Sequence, residues 1–273
     1  MATDGSDFAI NLYSYLFSHT AADAVRHLSD QGYSGFEFMM FPNHLWYGAE
    51  HAATAKDLLA AQAETGARFL SSNMPNIDIN IAACDPAMRD YSLNTLTALV
   101  ELSGDLGIPR MIVGPGKPNP LFPAPRDFMM DCFFKGLDRL VPVAERAGVM
   151  LLIENMPFAF LPDADGMMEA LDTYGHDGIG ITYDVANGHF IKEDITAGMK
   201  RVQSRLQTVH LSDTTQHVYK HDAVGLGDVD FRAAMQAMKN VGYTEQPILE
   251  IIDRNPDPEI ARSAEALAAL SGI

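Results

Sequence analysis

Met150-Leu-Leu-Ile-Glu-Asn155 is an apolar run of strand length that reaches a carboxylate at Glu154, and three later runs repeat the device. Ile179-Gly-Ile-Thr-Tyr-Asp184 ends in Asp184, Val209 flanks His210, and Ile248-Leu-Glu-Ile-Ile252 encloses Glu250. A helical stretch follows each. Apolar runs alternating with helices mark parallel strands joined by crossovers, and parallel strands share one C-terminal face. Glu154, Asp184, His210 and Glu250 are therefore expected to meet at one end of one sheet.

Working outward, the alternation repeats eight times, the pattern of a closed (β/α)8 barrel of the α/β class, a TIM barrel. Strands are expected at Phe8–Tyr13, Gly35–Met39, Arg68–Ser72, Arg110–Val113, Met150–Glu154, Ile179–Asp184, Gln207–Leu211 and Ile248–Ile252. Helices with apolar residues at three-to-four spacing are expected at Thr20–Gln31, His51–Thr65, Pro86–Leu106, Asp127–Ala147, Ala164–Tyr174, Ile195–Leu206, Phe231–Asn240 and Pro258–Leu270. Gly32, Gly66, Gly107, Gly148 and Gly242 each stand just past a helix, where a left-handed residue ends it. An open doubly wound sheet would need a phosphate loop after the first strand. Gly114-Pro-Gly116 follows the fourth and lacks the third glycine.

The 273 residues match the size of one barrel and show no linker, so residues 1–273 read as a single domain. No stretch reaches the roughly 18 apolar residues of a membrane helix. The acidic, polar start Met1-Ala-Thr-Asp-Gly-Ser-Asp7 is unlike a signal peptide, so a cytoplasmic location is expected. Cys84 and Cys132 form no CxxC pair and read as reduced thiols. Acidic residues outnumber basic ones 36 to 19, a net charge of −17 that argues against nucleic acid as a partner.

Long loops rich in Pro, Asn, Gly and aromatics follow several strands: Phe41-Pro-Asn-His-Leu-Trp46, Asn73-Met-Pro-Asn-Ile77 and Gly114-Pro-Gly-Lys-Pro-Asn-Pro120. In a βα barrel that face carries function. Three carboxylates and one imidazole there make a hard, oxygen-rich donor set. It suits one divalent cation, Mn2+, Mg2+ or Co2+, and tolerates Zn2+. A divalent cation would also offset the desolvation of carboxylates at apolar strand ends.

The runs Leu152-Ile-Glu-Asn155, Thr182-Tyr-Asp-Val-Ala-Asn-Gly-His189, Val209-His-Leu-Ser-Asp213, His221-Asp-Ala-Val-Gly-Leu-Gly-Asp-Val-Asp-Phe231 and Leu249-Glu250 resemble the xylose isomerase-like barrel superfamily. Its sugar phosphate isomerase/epimerase branch is the most similar, with ketose 3-epimerases, hydroxypyruvate isomerase and inosose dehydratase as relatives. The resemblance implies that Glu154, Asp184, His210 and Glu250 are the metal ligands. It further implies that Glu154 and Glu250 are the acid/base pair on opposite faces of the substrate, exchanging a proton through an enediolate. Homo-oligomers are common in the family.

Two departures bear on substrate contacts. Ketose epimerases carry a His three residues after the Asp ligand, where this chain has Asn187, with His189 two further on. The basic residue before the Gly225-Leu-Gly227 turn, often Arg in those enzymes, is His221, and imidazole suits a hydroxyl better than a phosphate. Asn187, His189, His221 and Glu37, inside the second strand, are thus the expected substrate-binding residues. His19 and His44 are further candidates for the pocket, and Trp46, Phe158 and Phe160 for an apolar wall. Lys117, Lys220 and Arg254 are the few cations near the mouth and read as solvated.

The expectation is an isomerase or epimerase of carbohydrate metabolism, with a divalent metal such as manganese, acting on a small polyhydroxylated carbonyl compound. A metal-dependent dehydratase of the inosose or dehydroshikimate type shares the first proton abstraction and is the alternative. Endonuclease IV needs further histidines after the third and fourth strands, and Arg68-Phe-Leu-Ser-Ser-Asn73 and Met111-Ile-Val-Gly-Pro115 supply none. A non-catalytic metal-binding barrel would be marked by loss of one acid/base glutamate, and both are present.

Overall fold

The computed structural model describes residues 7–48, 51–75 and 78–271. The polar start at residues 1–6 and residues 76 and 77 of the third loop lie outside the described residues. Eight parallel strands close into a barrel in sequence order: β1 (Ala9–Asn11), β2 (Gly35–Met39), β3 (Arg68–Asn73), β4 (Arg110–Val113), β5 (Met150–Glu154), β6 (Ile179–Asp184), β7 (Leu206–Leu211) and β8 (Ile248–Leu249). The helices around it are α1 (Ala21–Asp30), α2 (His51–Thr65), α3 (Pro86–Asp105), α4 (Arg126–Ala147), α5 (Ala164–Tyr174), α6 (Val185–Phe190), α7 (Ile195–Val202), α8 (Phe231–Asn240) and α9 (Pro256–Ser271). No described helix is long and apolar enough to cross a membrane.

Local chemistry sets the ends of these elements. Asp85, Asp163, Asp194 and Asp230 cap α3, α5, α7 and α8, each carboxylate accepting an N–H of the first turn that has no partner inside the helix. Gly148 closes α4 at φ +69°, a conformation that L side chains resist. The core lies between strands and helices, where the outward faces of the strands meet helix stripes of Leu, Val and Ala. Near the C-terminal ends of the strands the barrel interior turns polar. Asn11, Glu37, Ser71, Thr182, Thr208 and His210 are all buried there.

Besides shifts of one or two residues, three element ends and one added helix differ from the sequence expectation. β1 stops at Asn11 instead of Tyr13, because the Asn11 side-chain oxygen accepts the Tyr13 N–H (2.8 Å) and turns the chain into a short 3-10 turn. β8 ends at Leu249, since the Ile252 N–H leaves the sheet to bond the His221 carbonyl (2.8 Å). α7 ends at Val202, and the carbonyl of Arg205 already accepts the Ile181 N–H (2.7 Å) ahead of β7. The short helix α6 was not expected. It forms because the Asp184 carboxylate caps it through the Asn187 N–H (2.6 Å).

The long β7–α8 loop is built around one carboxylate. Asp213 exchanges both backbone hydrogen bonds with Asp222, and its side chain accepts the N–H groups of Thr214 (2.9 Å), Gly225 (2.8 Å) and Val229 (3.2 Å). Gly227 has no room for a Cβ, which would overlap the Thr214 carbonyl and the Asp213 carboxylate. That packing holds Tyr219 and His221 toward the barrel mouth. Asp213→Ala should cost about 2–3 kcal/mol through the lost bonds to a charged acceptor, and Gly227→Ala about 1–3 kcal/mol through overpacking. Urea unfolding midpoints measure both, and wild-type midpoints would show that this loop is not anchored as described.

Candidate metal centre

Four adjacent strands bring the four expected ligands to one point. Glu154 closes β5, Asp184 closes β6, His210 lies one residue from the end of β7, and Glu250 follows β8 directly. Register contributes: Asp184 pairs with His210 across β6 and β7. All four are buried, and each offers a ligand atom within 4.8 Å of the others. His210 Nδ1 stands 3.2 Å from Glu154 Oε1, 3.2 Å from Glu250 Oε2 and 3.7 Å from Asp184 Oδ2.

Neighbouring side chains fix these positions. Asn155 clamps the Asp184 backbone, accepting its N–H (2.7 Å) and donating to its carbonyl (2.9 Å). Asp184 Oδ1 is taken by the helix cap, while the buried Oδ2 has no hydrogen-bond partner. On the far side of the ring, His210 Nε2 lies 3.0 Å from Glu37 Oε1, an ion-pair contact without hydrogen-bond alignment. Glu37 accepts in turn from Asn11 Nδ2 (2.7 Å) and Ser71 Oγ (2.5 Å), and Asn11 Nδ2 also reaches Glu250 Oε1 (3.4 Å).

Burial and like charge shape the ionisation. Burial pushes the Glu154 carboxyl up to about 7 against the pull of His210. Burial, with Glu250 and Glu154 beside it, holds Asp184 well above the usual carboxylate range. Burial opposes the His210 charge, yet Glu37, Glu250 and Glu154 together keep its proton well above the ordinary imidazole range. Burial would raise Glu250 too, but His221 and His210 draw it down to about 2. Since burial pushes the His221 imidazole down, His210 is the durable source of that positive charge.

The donor set fits a divalent cation. Three carboxylates gather around one imidazole, and one carboxylate oxygen is buried without a partner while lying next to the other donors. Leaving such an oxygen unsatisfied is costly, and oxygen-rich sets of this kind select hard divalent ions.

Beside the cluster is a cavity of about 280 Å3 that Glu154 and Glu250 line together with Asn187 and His221. Tyr219 joins the last two, donating to Asn187 Oδ1 (2.7 Å) and lying 2.9 Å from His221 Nε2, while Ser212 Oγ holds His221 Nδ1 at 2.9 Å. Met39, Met74, Met156 and Phe158 form an apolar side, and half-buried Lys117 also lines it. The remaining expected residues are elsewhere. Glu37, expected to face substrate, is fully buried against His210 and outside the cavity lining, because its carboxylate is spent on Asn11, Ser71 and His210. His189 pairs with Asp228 (2.6 Å) instead. His44 is buried against the His19 carbonyl (2.7 Å), and neither of these histidines, nor Trp46 or Phe160, is in the lining. Sequence reasoning missed Asn11, Tyr13 and Tyr219. The only signal for Tyr219 was its place two residues before His221.

A sequence model of the xylose isomerase-like TIM barrel family matches residues 25–270. An uncharacterized protein of Methanocaldococcus jannaschii is 23% identical over 176 residues, 62% of this chain and 59% of that protein, so the match spans less than two thirds of the curated relative. Among solved structures, a D-tagatose 3-epimerase-like protein superposes with a TM-score of 0.82 at 18% identity, 97% of each chain being covered. An IolI protein with a binding zinc atom gives a TM-score of 0.77 at 16% identity, covering 98% of this chain and 95% of that one. At these identities the likeness shows the fold.

A carboxyl whose pKa is raised by folding makes the folded state bind protons more tightly than the unfolded one, so stability is lost as pH rises through the raised value. With Glu154 raised from 4.5 to about 7 and Asp184 raised in the same direction, the chelator-treated protein should lose thermal stability as pH rises from about 4.5 to about 7. Adding Mn2+ or Zn2+ should restore it, most strongly at the upper end, with proton release on binding. Thermal midpoints with and without metal test this, and a midpoint indifferent to both metal and pH would refute the reading of the cluster as a cation site.

Proposed function

The chain belongs to the xylose isomerase-like TIM barrel family, and from that premise we propose that it is a divalent-cation-dependent isomerase or epimerase of a small polyhydroxylated carbonyl compound. The observation that carries this reading is the placement of Glu154 and Glu250. Both line one cavity and both reach His210 Nδ1 at 3.2 Å, yet they come from β5 and β8, three strands apart around an eight-stranded ring. On this reading the two carboxylates, rooted on opposite parts of the ring, serve the two faces of one bound substrate.

A cation held by Glu154, Asp184, His210 and Glu250 would polarise the substrate carbonyl and make the neighbouring C–H more acidic. The donor set suits Mn2+, Mg2+ or Co2+ and tolerates Zn2+. The chain's own groups do the rest. One glutamate takes the proton from the carbon and the other returns it on the opposite face, and exchanging their roles runs the reaction backwards. Asn187, held through Tyr219 to His221, presents its amide to the substrate hydroxyls, while buried Met39 and Met74 keep water from the carbanion-like carbon.

The first test is metal content of the purified protein, followed by incubation with ketoses and inososes in D2O and NMR detection of exchange. Exchange at the carbon next to the carbonyl supports the proposal, whereas loss of water assigns the dehydratase alternative. Glu154→Gln and Glu250→Gln should each lower exchange by about 100-fold or more while circular dichroism shows a folded barrel. Exchange at the wild-type rate in either variant would exclude the two-carboxylate mechanism.

A further inference from the structure

The cavity beside the four-residue cluster does not stand alone. Tyr13, Tyr219, His221 and Ile252 belong both to its lining and to that of a second, larger cleft of about 880 Å3. This cleft is formed by residues that follow β1, β7 and β8, on the same C-terminal face. The inner cavity is at the low end of ligand-site volumes and suits one monosaccharide, while the outer cleft is large enough for a further unit.

The outer cleft differs in chemistry from the inner one. Phe17 offers a ring that is 87% exposed and braced edge-on by Phe41, with centroids 5.4 Å apart at 78°. Its charges are of both signs: Lys220, paired with Asp222 at 3.2 Å, and the adjacent Asp253 and Arg254. An anionic group would meet Asp222 and Asp253. A purely apolar group would strip water from four charged side chains without replacing their hydrogen bonds. A pyranose ring satisfies both halves of this surface. Its C–H face covers an aromatic ring, and each hydroxyl donates to a carboxylate while accepting from a guanidinium or ammonium.

The geometry points to a glycosyl subsite in the cleft of Phe17, Lys220, Asp222, Asp253 and Arg254, so that the substrate is a keto sugar carrying a second, neutral sugar unit. This rests on the functional reading above for the occupant of the inner cavity. The outer subsite makes its own contribution, because nothing in the inner cavity requires Phe17 or Arg254.

Calorimetric titration of the Mn2+-loaded protein with D-fructose and with turanose, lactulose, leucrose and isomaltulose tests the subsite. These disaccharides differ in which fructose hydroxyl carries the second sugar. At least one should bind about tenfold more tightly than fructose, the worth of one hydrogen bond to a charged group. Phe17→Ala and Arg254→Ala should each remove most of that gain and leave fructose binding unchanged. The subsite is overturned if no disaccharide gains over fructose, or if the variants weaken both ligands equally. Deuterium exchange in the same samples separates the two readings. A gain in binding without exchange of any sugar would keep the subsite and sink the isomerase, and exchange of fructose without a gain would do the reverse.

Discussion

Three carboxylates held against one buried imidazole are the constraint on which the rest of this barrel depends. In water such a cluster would be mildly repulsive. At the dry mouth of a barrel the same charges interact several times more strongly, and each also forfeits its hydration. The raised carboxyls of Glu154 and Asp184 express that penalty directly. A fold selected for stability alone would fill these positions with Leu or Val, as it does one turn of the pleat below, at Leu152. The cluster persists because something other than stability is obtained from it.

Much of the surrounding polar structure holds that arrangement in place. Asn155 fixes the backbone of Asp184 from the neighbouring strand, and the α6 cap occupies one of its oxygens so that only the other is left for a ligand. Glu37 presses a negative charge against the outer nitrogen of His210, keeping that ring polarised with Nδ1 toward the carboxylates. Asn11 spans Glu37 and Glu250, so the last ligand is tied to the same buried network as the imidazole. Each contact orients a group that touches the centre, which is how a site keeps ligand geometry within a few tenths of an ångström.

The strands and ligands were legible because they obey short-range rules. β2, β4, β5 and β6 fall where the apolar runs place them, since strands buried on both faces read as uninterrupted apolar stretches. The four candidate ligands are legible from their positions at or near strand ends. What the sequence concealed depends on long-range contacts. Asn11 reads as a strand-end amide until β2 and the segment after β8 bring Glu37 and Glu250 to it. Glu37 reads as a mouth residue, although Ser71 and His210 occupy its oxygens. Tyr219 lies in a loop without periodicity, and its role appears only when Asp213 gathers the backbone N–H groups that fold that loop inward.

The same division separates the cation site from the substrate pocket. Metal ligands must satisfy one ion in one geometry, so their residue types and strand positions are narrowly set. Substrate contacts have no such common partner. In this chain Asn187 and His221 are linked through a tyrosine, and the rest of the cavity lining mixes Met39, Met74, Met156 and Pro75 with Tyr13, Asn73 and Lys117. Hydroxyls that emerge beyond that lining meet Lys220, Asp222, Asp253 and Arg254, so the charged outer cleft favours an extended substrate.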